Sequence, residues 1–321
     1  MKYSNIRGTD IKVSQLCLGT SNYGTWLTEK FAIEQLDRFV DYGGNFMDSA
    51  HIYGDWIPGE RARSEKIFGR WLRARKNRHN LVIIGKGGHP DFDQMDISRV
   101  NAKALAEDMN ATLENLGTDY VDIYILHRDD VCIPVEELVD TLEGFRREGK
   151  TRYYGCSNWT LERLKAAQDY AKRQGYKGFS CNQIMDCLAI PNENVVKNRN
   201  LLFLDKVYHD YHEQTKLAVT AYMAITGGYF TKCAMSAHIP ESTEELCENA
   251  VNRKMSAYLN ERIQEPRKIG MYVLRYVMER DYLSVPIASF SNHETLEDAV
   301  ASCDMKVDLE IINGLRSIRG W

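Results

Sequence analysis

No run of apolar residues in this 321-residue chain is long enough to span a bilayer, and the opening MKYSNIRGTD lacks the apolar core that a secretory signal needs. No membrane partner is therefore expected, and a cytoplasmic location is. Neither sign of charge dominates: 41 Lys and Arg against 45 Asp and Glu leave a formal charge of -4, so overall charge gives no reason to expect a nucleic-acid partner. The eight cysteines show no CxxC or Cys/His finger spacing, and Cys156 and Cys181 fall inside apolar runs. They read as reduced core residues, with no metal site and no disulfide implied. GxGxxG and GxxxxGK[ST] are both missing, which removes the usual glycine loops of doubly wound sheets and phosphate-loop enzymes. No shift in composition marks a linker, so residues 1–321 read as one domain.

What is there is alternation. After a weak hairpin pattern in YSNIRGTDIKVS, short apolar runs recur at QLCLGT (15–20), 45–47, LVII (81–84), YVDIYIL, TRYYGCSN, GFSCNQ, LAVTAYM (217–223) and YLSVPIA. Helical patterns separate them. Residues 30–42 carry Phe31, Leu36, Phe39 and Val40 on one side and stop at Gly43 and Gly44. Leu105, Met109, Leu113 and Leu116 recur at helical spacing, with Ser98 as a candidate cap and Gly117 as a stop. Pro134 opens another helix and Thr160 caps the next. Eight strands alternating with helices predict a single (β/α)8 TIM barrel with a short N-terminal hairpin. Two longer polar inserts, 187–200 and 227–265, are expected as long loops over the C-terminal face of the barrel, where loops decide substrate.

One stretch organises the rest. In GGNFMDSAHIYGD, Asp48 closes an apolar run and Tyr53 follows five positions later on a segment of turn-formers. Lys86 in VIIGKGGHP and His127 in VDIYILHRDD also follow apolar runs directly. Strand exits of a parallel barrel share one face, so these four groups are expected to converge. A phenol is a weak acid with a reference pKa of about 10. A neighbouring ammonium is expected to lower it, with Asp48 holding Lys86 in place and His127 positioning a substrate oxygen. Such a set transfers a proton to or from a carbonyl oxygen as a hydride reaches carbon. No side chain supplies hydride, so an organic cofactor is implied. Taken singly each residue has an ordinary structural explanation, and it is the ordered set that points to chemistry.

The set resembles the aldo-keto reductase superfamily over essentially the whole chain. Asp48, Tyr53, Lys86 and His127 match the family's Asp, Tyr, Lys and His in order and context, and LENLGTDYVDIYILHRDD and GKTRYYGCSNW echo its neighbouring patterns. The resemblance implies an NAD(P)-dependent oxidoreductase acting on an aldehyde, a ketone or the corresponding alcohol. It implies that Ser157, Asn158 and Gln183 hold the nicotinamide carboxamide, that Tyr222 stacks on its ring, and that Ser289 and Asn292 lie near the adenosine end. NADP(H) is expected ahead of NAD(H), although PIASFSNHETLED contains no Lys or Arg to hold a 2'-phosphate. Tyr23, Trp26, His51, Trp56 and His89, with Trp159, are expected on loops at the same face; aromatic walls with polar groups between them suit a sugar or related carbonyl compound. The alternative function, also drawn from the superfamily, is a nucleotide-sensing regulatory subunit that keeps fold and cofactor. Retention of all four reactive residues favours the enzyme, and the sequence sets no oligomeric state.

Overall fold

The computed structural model describes residues 1–321. An antiparallel hairpin of β1 (Tyr3–Asn5) and β2 (Lys12–Ser14) precedes the main sheet. Eight parallel strands then close a barrel in chain order: β3 (Cys17–Gly19), β4 (Phe46–Asp48), β5 (Val82–Gly87), β6 (Val121–Leu126), β7 (Thr151–Ser157), β8 (Phe179–Met185), β9 (Ala218–Tyr222) and β10 (Ser284–Ala288), which pairs back to β3. The helices α1 (Glu29–Asp41), α2 (Arg63–Arg75), α3 (Ala102–Leu116), α4 (Val135–Arg147) and α5 (Leu161–Gln174) each follow one of the strands β3 to β7. The predicted (β/α)8 barrel and its hairpin are what the chain forms.

Alternation along the strands builds two nested cores. Outward residues such as Leu18, Met47, Ile83, Tyr124, Tyr154 and Val219 pack against the surrounding helices. Inward residues Cys17, Phe46, Ile84, Ile125, Cys181 and Ile287 fill the barrel, and Ile6, Ile11 and Val13 of the hairpin region join that same interior cluster. The hairpin is thus packed into the barrel interior instead of riding free. Because side chains repeat every two residues along a strand, the next inward positions are Asp48, Lys86, His127, Gln183 and Ser289. The apolar filling gives way to a polar layer at the strand exits.

Helix starts follow local chemistry. Thr160 accepts from an N–H three residues on, as its sequence suggests, and Thr28 does the same at the start of α1. The cap of α3 is Asn101, whose Oδ1 accepts from Ala104 N at 3.0 Å, and not Ser98, whose Oγ accepts from Val100 N before the helix begins. Of the two polar inserts, 227–265 is largely helical, while 187–200 holds one short helix. After β8 come α6 (Glu193–Asn198) and α7 (Lys206–Thr215); after β9 come α8 (Tyr229–Ala234), α9 (Glu241–Cys247), α10 (Ala250–Arg262) and α11 (Pro266–Met278). Sparse apolar residues explain the difference: Tyr229, Phe230, Leu246, Met255 and Leu259 join Ile312 and Leu315 of α13 (Leu309–Arg319) in a second core beside the barrel. Before α13, α12 (His293–Ser302) covers the exit of β10. No helix is long and apolar enough to cross a membrane.

Fully buried His212 on α7 ties that helix to the barrel. Its Nδ1 lies 2.9 Å from Leu217 O and its Nε2 3.2 Å from Asn182 Nδ2, a pairing that suits the neutral ring with its proton on Nδ1. Burial holds its pKa down at about 4. The folded value lies below the unfolded one, so the unfolded chain takes up the proton first as pH falls. The ring's contribution is whole above about pH 6.5 and is lost on acidification toward pH 4. Between pH 7 and 5 this residue is expected to remove about 2 kcal/mol from the urea unfolding free energy. His212→Gln should flatten the pH dependence by that amount; an unchanged slope would contradict the assignment.

Candidate active site

Seven of the eight barrel strands, β4 to β10, deliver a polar group at or just past the C-terminal end. Asp48 is the last residue of β4 and pairs in register with Gly19 and Ile84; Lys86 lies two residues beyond Ile84 on β5. His127 follows β6 and is held by its N–H donating to Gly87 O at 2.8 Å. Ser157 ends β7, Gln183 lies on β8, Tyr222 ends β9 and Ser289 follows β10. All of these but the fully buried Lys86 line a cavity of about 480 Å³.

Lys86 is fully buried, and each of its ammonium donors has an acceptor. Its Nζ donates to Asp48 Oδ2 at 2.8 Å, to Ser49 O at 2.7 Å and to the Tyr53 hydroxyl at 2.8 Å. The Tyr53 hydroxyl donates to Asp48 Oδ2 at 3.1 Å, while Asp48 Oδ1 accepts from Gln183 Nε2 at 2.8 Å. Burial pulls the Lys86 pKa down, and the Asp48 carboxylate opposes that pull. For Tyr53 the expected lowering is not found: burial first, and Asp48 next, push the phenol well above its ordinary value. Asp48 absorbs the influence of the ammonium. Tyr53 therefore rests as a protonated acid with a donor already aimed at its oxygen, ready for the charge that appears when the proton leaves.

The His127 ring meets Tyr53 edge-on with centroids 5.9 Å apart. Burial and the cations around it hold His127 well below its ordinary pKa, so the ring is neutral, and its Nδ1 has no partner within the protein. Such a ring is suited to hydrogen-bonding a substrate oxygen.

At the cavity's polar end, Asn158 adopts a left-handed backbone with φ 58°. Its Oδ1 accepts from the Tyr222 hydroxyl at 2.6 Å and its Nδ2 donates to Ser157 Oγ at 3.0 Å. Gln183 spends its amide on Asp48 and Thr220, leaving its carbonyl oxygen free of protein donors. The Ser157 hydroxyl, the second Asn158 amide hydrogen and Gln183 Oε1 thus remain as two donors and an acceptor on one wall. Tyr222, its hydroxyl tied down, contributes its ring to the same cavity. Ser289 lines the cavity with its hydroxyl on Gly19 O at 2.8 Å. Asn292 does not reach it: its Oδ1 caps α12 by accepting from Thr295 N at 2.9 Å.

The expected aromatic wall is mostly elsewhere. Trp26 alone of the five lines the cavity, as an exposed rim residue. Tyr23 is fully buried and its hydroxyl donates to Gln35 Oε1. His51 lies outside the cavity lining, between Lys86 O and Asp108. Trp56 packs edge-on against Phe92, and His89 is buried 5.0 Å from the His127 ring. Trp159 is buried in the outer core. The physical reason for Tyr23, Trp56 and Trp159 is that aromatic rings near a barrel rim gain more from packing than from facing a wet cavity, while His51 and His89 are drawn off by polar partners.

Several cavity residues were not singled out in the sequence, Arg128 and Thr226 among them. Arg128, beside His127 in HRDD, lines the cavity, and its only signal is its place directly after a strand-exit histidine. Thr226 turns the chain after β9 at φ 47° and carries a buried hydroxyl without a partner. Nothing in the local sequence separates it from other loop threonines.

A family model described as "Aldo/keto reductase family" matches residues 15–319. Over 99% of this chain and 96% of the relative, the sequence is 25% identical to the uncharacterized oxidoreductase YrpG of Bacillus subtilis (strain 168). It is 26% identical to the aldo-keto reductase ausK of Emericella nidulans over 96% of this chain and 79% of that protein. The norsolorinic acid reductase stcV of the same fungus is 33% identical, in an alignment of 54% of this chain and 46% of the relative. Among solved structures, a thermostable aldo-keto reductase in complex with the inhibitor epalrestat superposes with a TM-score of 0.73 at 19% identity, covering 99% of this chain and all of that one.

Removing one member of a buried ion pair strands the other. Asp48→Ala is expected to cost about 3–5 kcal/mol in urea unfolding, and the double change Asp48→Leu with Lys86→Met to recover most of it. A loss below about 1 kcal/mol for Asp48→Ala would contradict a buried, mutually dependent pair.

Proposed function

Since this chain belongs to the aldo/keto reductase family, we propose that it interconverts a carbonyl compound and its alcohol with a nicotinamide nucleotide as redox partner. The observation that carries this reading is the three-way contact of Lys86 Nζ with Asp48 Oδ2, the Tyr53 hydroxyl and Ser49 O. A bound reduced nicotinamide supplies hydride to the carbonyl carbon. Tyr53 gives its proton to the carbonyl oxygen, and Lys86, already donating to the phenol oxygen, stabilises the phenolate that remains. Asp48 holds Lys86 charged and fixed. Neutral His127 orients the carbonyl oxygen toward Tyr53. In the reverse direction the phenolate takes the alcohol proton back.

The residues present suit that nucleotide. A carboxamide offers one carbonyl acceptor and two N–H donors, which complement the free donors of Ser157 and Asn158 and the free acceptor of Gln183. Tyr222 has its hydroxyl fixed to Asn158 and Leu202 O, leaving the ring as a stacking surface. Ser289 is proposed to serve the adenosine half, and the partnerless hydroxyl of Thr226 to serve a phosphate oxygen. NADP(H) is placed ahead of NAD(H) on family grounds. The α12 start has no Lys or Arg of its own, and Arg267 of α11 is taken up by Glu294 and Asp298. For the substrate, an aldehyde or ketone is the reading. The sugar expectation rested on the aromatic wall, of which Trp26 remains.

Tyr53→Phe is expected to lower kcat by about 10²–10⁴, the range for loss of a general acid, while nucleotide still quenches intrinsic fluorescence on binding. Following the reduced-nicotinamide absorbance with a panel of aldehydes and ketones tests it. Undiminished turnover in the variant would remove Tyr53 from the mechanism. Titrating both nucleotides in parallel decides between NADP(H) and NAD(H).

A further inference from the structure

Arg128 is a cation without an anion. Most other half-buried or buried arginines find carboxylates: Arg78 lies on Asp122, Arg99 on Asp108, Arg163 on Asp129 and Arg280 on Asp186, whereas Arg63 and Arg316 donate to backbone carbonyls. Arg275 bonds to Glu279, and Arg319 spends its donors on the carbonyls of Cys187, Leu188 and Leu204. Arg128 has a 3.4 Å contact to His127 O and a 3.2 Å contact to the His89 ring, and no ion pair. A guanidinium carries five N–H donors, so most of its capacity is left over.

The nearby acids are already committed. Asp129, next in the chain, bonds to Arg163 Nε at 2.7 Å, and Asp130 accepts from Cys132 N at 2.9 Å. Asp48, the acid on the cavity wall, is held by Lys86. The imidazoles beside Arg128 are neutral: burial, reinforced by the arginine itself, keeps His89 down at about 4, and His127 is lower than usual for the same reasons. Lys86 and Asp48 cancel, so the cavity carries one uncompensated positive charge. A half-buried charge costs free energy unless something pairs with it, and a planar forked guanidinium pairs best with a planar forked anion.

Its place says which molecule brings that anion. Arg128 follows His127 directly and lines the same cavity as His127, Tyr53 and Tyr222, the groups that would hold the carbonyl. Thr226, Gly227 and Ser289 line the cavity from the exits of β9 and β10. Resting on the carbonyl-reductase reading above, we propose that the substrate is an aldehyde or ketone that also bears a carboxylate, and that Arg128 binds the carboxylate. Binding it turns the carbonyl toward Tyr53 and His127 and discriminates against uncharged carbonyl compounds.

A matched pair of substrates tests this: 4-carboxybenzaldehyde and its uncharged methyl ester, each with NADPH. The wild-type protein is expected to prefer the acid in kcat/KM. Arg128→Leu is expected to cut the acid-to-ester ratio by about 10- to 100-fold, the effect of losing a hydrogen bond to a charged group, chiefly through KM. Arg128→Lys, which keeps the charge but not the fork, should fall between the two. Equal wild-type preference for acid and ester, or a ratio unmoved by Arg128→Leu, overturns the proposal. So does a weakened NADPH Kd in Arg128→Leu with the ratio intact, which assigns the guanidinium to the nucleotide. If neither aldehyde is turned over, the reductase reading fails on its own account. Terephthalate binding, measured by calorimetry on wild type and Arg128→Leu, then still decides whether Arg128 holds a carboxylate.

Discussion

The contact between Lys86 and Asp48 is the constraint on which the site depends. Their 2.8 Å bond lies fully buried, where an ammonium or a carboxylate alone would cost several kcal/mol. The pair is tolerable because each ammonium proton and both carboxylate oxygens have partners: Ser49 O and the Tyr53 hydroxyl complete the ammonium, and Gln183 bonds the second carboxylate oxygen. This fixes positions as well as charges. Tyr53 sits on a turn with no strand to hold it, and its hydroxyl is located by the two charged partners. A site with its polar atoms set in advance needs little reorganisation when charge moves.

The barrel makes such a layer possible at small cost to stability. Below it, Phe46, Ile84, Ile125 and Ile287 fill the interior, and the hairpin region adds Ile6 and Val13. One two-residue step along the strands exchanges Ile84 for Lys86 and Ile125 for His127, without changing the backbone pairing that continues through Lys86 and Ile125. Apolar packing supplies the stability, and the strand ends are then available for groups that packing alone would not select. The same logic applies outside the barrel, where the second core of α8, α10 and α13 anchors the segment after β9 and so fixes the turn at Thr226 beside the cavity.

Electrostatics within the cavity is uneven. The two acid-base partners at its wall neutralise one another, the imidazoles of His89 and His127 are kept uncharged by burial, and Arg128 keeps its charge because guanidinium is hard to deprotonate even when desolvated. The Arg128 position is also what depresses the two histidines further. A neutral His127 is the form that can orient an oxygen without competing for a proton held by Tyr53.

Sequence alone determined the architecture and the order of the four reactive residues. Strand alternation and glycine stops are local properties, and eight of them in regular succession close a barrel; Asp48, Lys86 and His127 were legible because each ends or follows an apolar run. Even the cap at Thr160 was readable from its own side chain. Tertiary structure decided what depends on competition between distant groups. Asp48 outweighs Lys86 in setting the state of Tyr53, and Tyr23, His51, Trp56 and His89 leave the cavity for packing and hydrogen-bond partners outside it. The solitude of Arg128 is of the same kind. Its neighbours in sequence, Asp129 and Asp130, offer it two carboxylates, and it stands unpaired because the fold sends one to Arg163 and ties the other to its own loop.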